Sequence, residues 1–255
     1  MSKIRQPLNK ILIIFICAFI MIFQSACTIN LNYGDREIIN EIVENRITTA
    51  CVDIRCNLSA NSYAQGSGAI FYKKQNLGVN QSGYTYYAIT NNHVIHNTYG
   101  ASPYEVKDCY GKSFVAELIC KDANYDLAVL SFTSTKDYNV LTLAENDAVF
   151  GDDIIALGSP LGLMNSVTIG SVNFYGFVEV SNANKDESNV TFKVMKHDAP
   201  INTGSSGGVV LNLKYQICGV NYACDKDDND KFVEGYAIPV TKLKEFFNKH
   251  NVNII

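Results

Sequence analysis

From Thr48 to Val240 this chain is built of short apolar runs cut by turns, and that rhythm constrains its fold more than any other feature. Thr48–Arg55, Ala69–Tyr72, Tyr84–Thr90, Leu127–Phe132, Ile154–Leu157, Val167–Val180, Thr191–Lys196, Gly208–Leu211, Gln216–Tyr222 and Gly235–Val240 each read as a strand. Gln75–Gly83 and Tyr110-Gly111 read as hairpin loops. Strands this short and this close, with no long helices alternating between them, predict an all-β barrel or sandwich. Two amphipathic helices bracket the strands. Asp35–Arg46 puts Ile38, Ile39, Ile42 and Val43 on one face, and Lys242–His250 puts Leu243, Phe246 and Phe247 on one side. No repeat of 20–50 residues is visible, and no second folded module is expected after the closing helix.

The first 27 residues differ in kind. Lys3, Arg5 and Lys10 precede an unbroken apolar run of 13 residues, Ile11–Phe23, and Gln24-Ser25-Ala26-Cys27 follows. A basic start, a short apolar stretch and small residues form an export signal. The run is shorter than the roughly 17–25 residues a spanning helix needs. Ser25-Ala26-Cys27 resembles a bacterial lipobox, in which the cysteine carries the lipid anchor, although Gln24 stands where an aliphatic residue is usual. Three outcomes stand: a lipoprotein tethered at Cys27, an uncleaved anchor, or simple secretion. Each places the protein outside the cytoplasm. A formal net charge of −4 lacks the basic footprint of a nucleic-acid binder.

Beyond Cys17 and Cys27, six cysteines remain: Cys51, Cys56, Cys109, Cys120, Cys218 and Cys224. An even number in an exported chain suggests disulfides, with sequence neighbours 51/56, 109/120 and 218/224 as the simplest pairing. The alternative is six reduced, buried thiols.

Three segments carry chemistry. Tyr87–Ile95 is a strand running into a turn at His93. Asp122–Leu130 sets Asp126 at the entry to an apolar strand. Asn202–Val210 holds Ser206 in a glycine-rich turn before a strand. A serine hydroxyl is a weak nucleophile until a base takes its proton. Histidine titrates near neutrality, and a buried carboxylate fixes its tautomer. Glycines beside the serine let the backbone turn tightly enough to aim successive N–H groups at one oxygen.

Thr90-Asn91-Asn92-His93-Val94, Asp126-Leu127-Ala128-Val129-Leu130 and Gly204-Ser205-Ser206-Gly207-Gly208 together resemble the HtrA/Deg branch of the trypsin-like (chymotrypsin-fold) serine proteases. Gly66-Ser67-Gly68-Ala69-Ile70, Gly158-Ser159-Pro160-Leu161-Gly162 with Val167-Thr168-Ile169-Gly170, and Gly235-Tyr236-Ala237-Ile238-Pro239 follow in family order, so the match covers roughly residues 35–250. The resemblance implies two six-stranded antiparallel β-barrels within a protease domain spanning 28–255. The first barrel would cover about 48–140, the second about 145–240, and the closing helix about 241–250. It implies His93, Asp126 and Ser206 as catalytic residues and an oxyanion hole at Gly204 and Ser206 with Ser205 close by. It implies substrate contacts at Pro200, Gly219, Val220 and Asn221, polypeptide substrates, no cofactor, no metal, and a homotrimer as one assembly.

Departures from the family sharpen the expectation. Thr203 replaces the family's proline, which makes the oxyanion loop easier to deform. Pro200, at the base of the primary pocket, argues against a preference for Lys or Arg. Ser205 stands where digestive relatives carry an aspartate, so activation by a freed N-terminus is not expected. No stretch resembles the PDZ module common in that family, so its peptide-triggered regulation and cages are not expected either. His96 has no ligand partner at metal spacing. Asp225–Asp230 lacks the glycine and glutamate of a calcium loop and reads as a solvated hairpin tip. Two other functions are weighed. A catalytically silent peptide-binding module on the same fold is the alternative. An esterase would need the order serine, acid, histidine, and this chain has the reverse.

Overall fold

The computed structural model describes residues 33–76, 82–178 and 184–252, so the expected export segment with Cys27 lies outside the described residues. The chain divides into two units, Met1–Ile38 and Ile39–Ile255, and both barrels lie in the second. Helix α1 (Tyr33–Glu44) precedes them. Among the described residues no helix is long and apolar enough to cross a membrane.

The first barrel is formed by β1 (Cys51–Ser59), β2 (Ser62–Gln75), β3 (Tyr84–Thr90), β4 (Tyr104–Lys107), β5 (Ser113–Asp122) and β6 (Leu127–Ser134), closed in the order β1-β2-β3-β6-β5-β4. The second is formed by β7 (Asp153–Gly158), β8 (Ser166–Gly176), β9 (Val194–His197), β10 (Val209–Leu211), β11 (Ile217–Lys226) and β12 (Phe232–Pro239), closed as β10-β11-β12-β9-β8-β7. Closure pairs every strand with a neighbour on each side over part of its length. The expected double barrel with a helix at each end is therefore present. Strand β8 is shorter than expected, ending at Gly176 instead of Val180, and β9 begins at Val194.

Beta-branched and leucine side chains fill the first interior, and smaller residues share the second. Ile54, Ile70, Ile89, Val106, Leu127 and Leu130 are fully buried around the first barrel. Ile154, Ala156, Val172, Met195, Val210 and Ala237 form the heart of the second. Each large side chain removed from water in this way contributes about 1.5–3 kcal/mol before entropy is charged.

The six thiols in the described residues are free. This corrects the neighbour pairing, and the strands explain why. Cys51 and Cys56 lie on the one strand β1, and Cys218 and Cys224 on β11. Five residues of extended chain put the first pair about 16 Å apart, and the second pair is further. A disulfide needs Cα atoms within about 7 Å. The hairpin pairs Lys107 with Ser113, so Cys109 sits in its turn while Cys120 lies far up β5.

Register places the chemistry. Strands β3 and β6 pair with Thr90 opposite Ala128. The end of β3 and the start of β6 therefore meet at one barrel rim. The short helix α2 (Asn92–Ile95) begins two residues past Thr90, and Asp126 lies two residues before Ala128. Ser206 comes from the second barrel, on the loop from β9 to β10.

Candidate active site

His93 and Asp126 are joined twice. The backbone N–H of His93 donates to Asp126 Oδ1 at 2.9 Å, and His93 Nδ1 lies 2.8 Å from Asp126 Oδ2. Asp126 is fully buried and takes a left-handed backbone, φ 50°, which turns its side chain back towards α2. The Asn91 amide clasps its carbonyl at 2.8 Å. With Nδ1 donating to the carboxylate, Nε2 is left as the lone-pair nitrogen. Burial works against the imidazolium. The charge and hydrogen bond of Asp126, with Glu187 nearby, outweigh it and raise the His93 pKa above its ordinary 6.5.

The Ser206 loop is held by its own backbone. Ser205 N–H donates to Asn202 O at 2.8 Å, Gly208 N–H to Ser205 O at 2.9 Å, and Gly207 N–H to Asn221 O at 2.8 Å. Gly204 and Gly207 sit at φ 90° and 83°, where a side chain would strain the turn. Among the described residues, no internal hydrogen bond takes the N–H of Gly204 or of Ser206. Both residues line the cleft that holds His93. Ser205, expected close to the oxyanion hole, spends its N–H inside the loop. Thr203, where the family carries proline, adds one bond to the loop. Its N–H donates to Asn202 Oδ1 at 2.8 Å, a bond that proline could not make.

One cleft of about 400 Å³ brings His93, Gly204 and Ser206 together with Ala64, Gln65, Ile201, Ala223 and Cys224. The Ser206 hydroxyl makes a long hydrogen bond, 3.5 Å, to Tyr222 O. Among the described residues no hydrogen bond joins Ser206 Oγ to His93, and a catalytic contact of that kind often tightens only in the substrate complex.

Of the expected substrate residues, Gly219, Val220 and Asn221 lie on β11. Gly219 and Val220 are buried inside β11, paired to both β10 and β12. Asn221 is 1% exposed, and its Oδ1 lies 3.0 Å from Nε2 of buried His197. None of the three lines the cleft. Beyond Asn221 strand β11 keeps its β12 partner but has run past β10, so the β10-side edge of Tyr222–Cys224 carries no strand. Ala223 and Cys224 are the residues that reach the cleft. Pro200 is exposed, accepts a hydrogen bond from Thr168 Oγ1, and borders a space of only about 10 Å³. Ile201 is the apolar residue facing the cleft beside Ser206. Sequence spacing carried no signal for Ile201 or Cys224.

Comparisons agree with this geometry. Residues 66–220 match the family described as the trypsin-like peptidase domain. The periplasmic serine endoprotease DegP of Escherichia coli K12 is 33% identical over 159 residues, covering 62% of this chain and 32% of that protein. The serine protease Do-like HtrA of Bacillus subtilis is 34% identical over 182 residues, covering 70% of this chain and 37% of that protein. The chain thus spans about a third of the length of these curated relatives. Among solved structures, the Rv3671c protease of M. tuberculosis in its active form has a TM-score of 0.66 at 22% identity, covering 84% of this chain and 85% of that one, a likeness of fold. The serine endoprotease of Yersinia pestis gives a TM-score of 0.63 at 26% identity, covering 84% of this chain and 66% of that one. With a family match over more than half its length, two closed barrels and a His93–Asp126 pair facing Ser206 across one cleft, the chain belongs to the trypsin-like peptidase family.

Proposed function

We propose that this chain is an exported serine endopeptidase that cuts polypeptides through an acyl-enzyme intermediate. The observation that carries the proposal is the two-point hold of Asp126 on His93, in one cleft with Ser206 and Gly204, whose N–H groups make no internal hydrogen bond among the described residues. His93 Nε2 takes the hydroxyl proton as Ser206 Oγ bonds to the scissile carbonyl carbon. The carbonyl π pair moves onto oxygen, and the N–H groups of Gly204 and Ser206 receive that charge. Collapse breaks the C–N bond, and the leaving nitrogen takes the proton from His93. Water then repeats the sequence on the acyl group and restores Ser206.

The substrate backbone adds as a strand along the open edge of Tyr222–Cys224, the way extended peptides join a sheet. Ile201, Ala223 and Cys224 border the space for the side chain before the cut. The basic start, apolar run and Ser25-Ala26-Cys27 support export and tethering to a membrane at Cys27. DegP and its kin are named as periplasmic proteases, which supports the same compartment and a polypeptide substrate.

The test compares wild type with Ser206→Ala on a denatured protein and with a fluorophosphonate probe. The expected result is cleavage and labelling by wild type and neither by the variant. Equal cleavage by both would overturn the proposal, and a wild type that binds peptides without cutting or labelling would leave a silent binding module in its place.

A further inference from the structure

Ser67 lies on β2, one barrel away from the nucleophile loop, yet four hydrogen bonds converge on it. Its N–H donates to Ser206 O at 2.7 Å. Its Oγ donates to Gly204 O at 2.6 Å and accepts from Ser159 N–H at 2.7 Å. Its carbonyl accepts from Thr90 Oγ1 at 2.7 Å. The side chain is fully buried. The direction of the hydroxyl proton is forced: a backbone N–H can only donate, so Ser159 occupies a lone pair and the proton goes to Gly204 O.

The two carbonyls that Ser67 holds belong to Gly204 and Ser206; the unbonded N–H groups of the same two residues lie in the preceding peptide units, Thr203–Gly204 and Ser205–Ser206, each joined to the held carbonyl through one Cα atom. Peptide units are planar, and glycine offers little resistance to rotation. Without an anchor, the Gly204–Ser205 peptide could turn its carbonyl towards the space where the oxyanion forms. An acceptor there would repel the charge that the N–H groups must receive. Two glycines make room for Ser67 and its partners. A Cβ on Gly158 would lie 3.0 Å from its Oγ, and a Cβ on Gly207 would collide with its carbonyl and with Thr90. Thr90 ends the strand that leads into His93, so one residue links the base and both oxyanion donors.

We infer that Ser67 is a positioning residue that fixes the Gly204 and Ser206 carbonyls, and through their Cα atoms the N–H groups on the other side of each residue, in the orientation that opens the oxyanion hole. The inference rests on the proposal that Ser206 is the nucleophile. Ser67→Ala keeps the strand and the N–H bond to Ser206 and removes only the hydroxyl. The expected result is a fall in kcat of about 10- to 100-fold with KM near wild type, less than the roughly 10²–10³-fold cost of deleting an oxyanion donor. Affinity for a peptide boronate, which forms a tetrahedral anionic adduct on serine, should fall in parallel, while affinity for a cleaved product peptide should not. Gly158→Ala, which crowds the same hydroxyl, should show a smaller loss with the same pattern, and it carries the test if Ser67→Ala does not fold. Wild-type kcat and boronate affinity in a folded Ser67→Ala, or a loss confined to KM or thermal stability, would overturn the inference. Activity retained by Ser206→Ala would instead overturn the nucleophile assignment, so the two failures read differently.

Discussion

Asp126 spends one carboxylate oxygen on the His93 backbone and the other on its ring, so it fixes both the turn and the imidazole. Asp126→Asn keeps the volume but offers an amide where Nδ1 needs an acceptor. The expected fall in kcat is about 10⁴-fold at neutral pH, read by steady-state kinetics, with little change in KM. The base must be neutral to act. Because the folded His93 pKa is raised, activity should rise with pH along an acid limb centred above 6.5. Glu187 adds negative charge that favours the imidazolium, so Glu187→Gln should move that limb to lower pH, while an unmoved limb would remove Glu187 from the electrostatics of the base. Cys224 offers a different handle. It is a free thiol bordering the cleft, and burial raises its pKa against the opposing charge of Lys226. Alkylation by iodoacetamide at neutral pH should be slow but should then block the cleft and stop cleavage. Cys224→Ser should cleave normally and ignore the reagent.

At the level of elements, the segment following β8 does more than connect strands. Residues 184–190 reach across to the first barrel. The buried Asn92 amide donates to Asp186 O at 3.0 Å and Glu187 O at 2.8 Å, and Asn189 N–H donates to Ala123 O at 2.8 Å. This strap therefore touches the turn before His93 and the turn before Asp126. Asn92→Ala removes the shared donor and should cost about 1–3 kcal/mol of stability. Asn92→Asp should cost more, because it sets a carboxylate against two carbonyls; thermal unfolding of the two variants checks the order. None of this was legible in the sequence, where residues 184–190 offered no periodicity or motif. That His93, Asp126 and Ser206 could meet at one cleft was legible because each sits in a short segment of fixed local geometry beside a strand. The sequence could not show which part of Gly219–Cys224 borders the cleft, because all six residues continue one strand. Where β11 outlasts the three-residue strand β10 is decided by partner length, which no local pattern records. The disulfide expectation failed for a related reason: cysteine count says nothing about two thiols sharing one extended strand.

At the scale of the whole molecule, the helix α3 (Val240–Lys249) belongs to one barrel and supports the other. It continues directly from β12, yet Phe247 stacks on Phe71 of β2 with ring centroids 4.9 Å apart, and Phe246 lies 6.0 Å from Tyr125. Lys249 and His250 both reach Asp122 Oδ2, at 2.7 and 3.2 Å. Tyr125 adjoins Asp126, and Asp122 opens the same turn, whose Tyr125 N–H donates to Asp122 O. A helix tied covalently to the serine barrel thus braces the turn that carries the acid in the histidine barrel. The Asp122 contacts are partly exposed and contribute little to stability alone. The buried aromatic stack carries the energy. Phe247→Ala should lower stability by about 3–5 kcal/mol, as for other buried aromatic truncations. Stability alone would leave kcat unchanged at temperatures well below the unfolding midpoint. If the helix braces the acid, kcat should fall there as well, and amide hydrogen exchange at Asp122–Asp126 should quicken while the far strands β7 and β8 stay protected. Unchanged exchange at that turn with wild-type kcat would reduce α3 to a stabilising cap, and the alignment of acid and nucleophile would then depend on the seam between Ser67, Ser159 and Gly204.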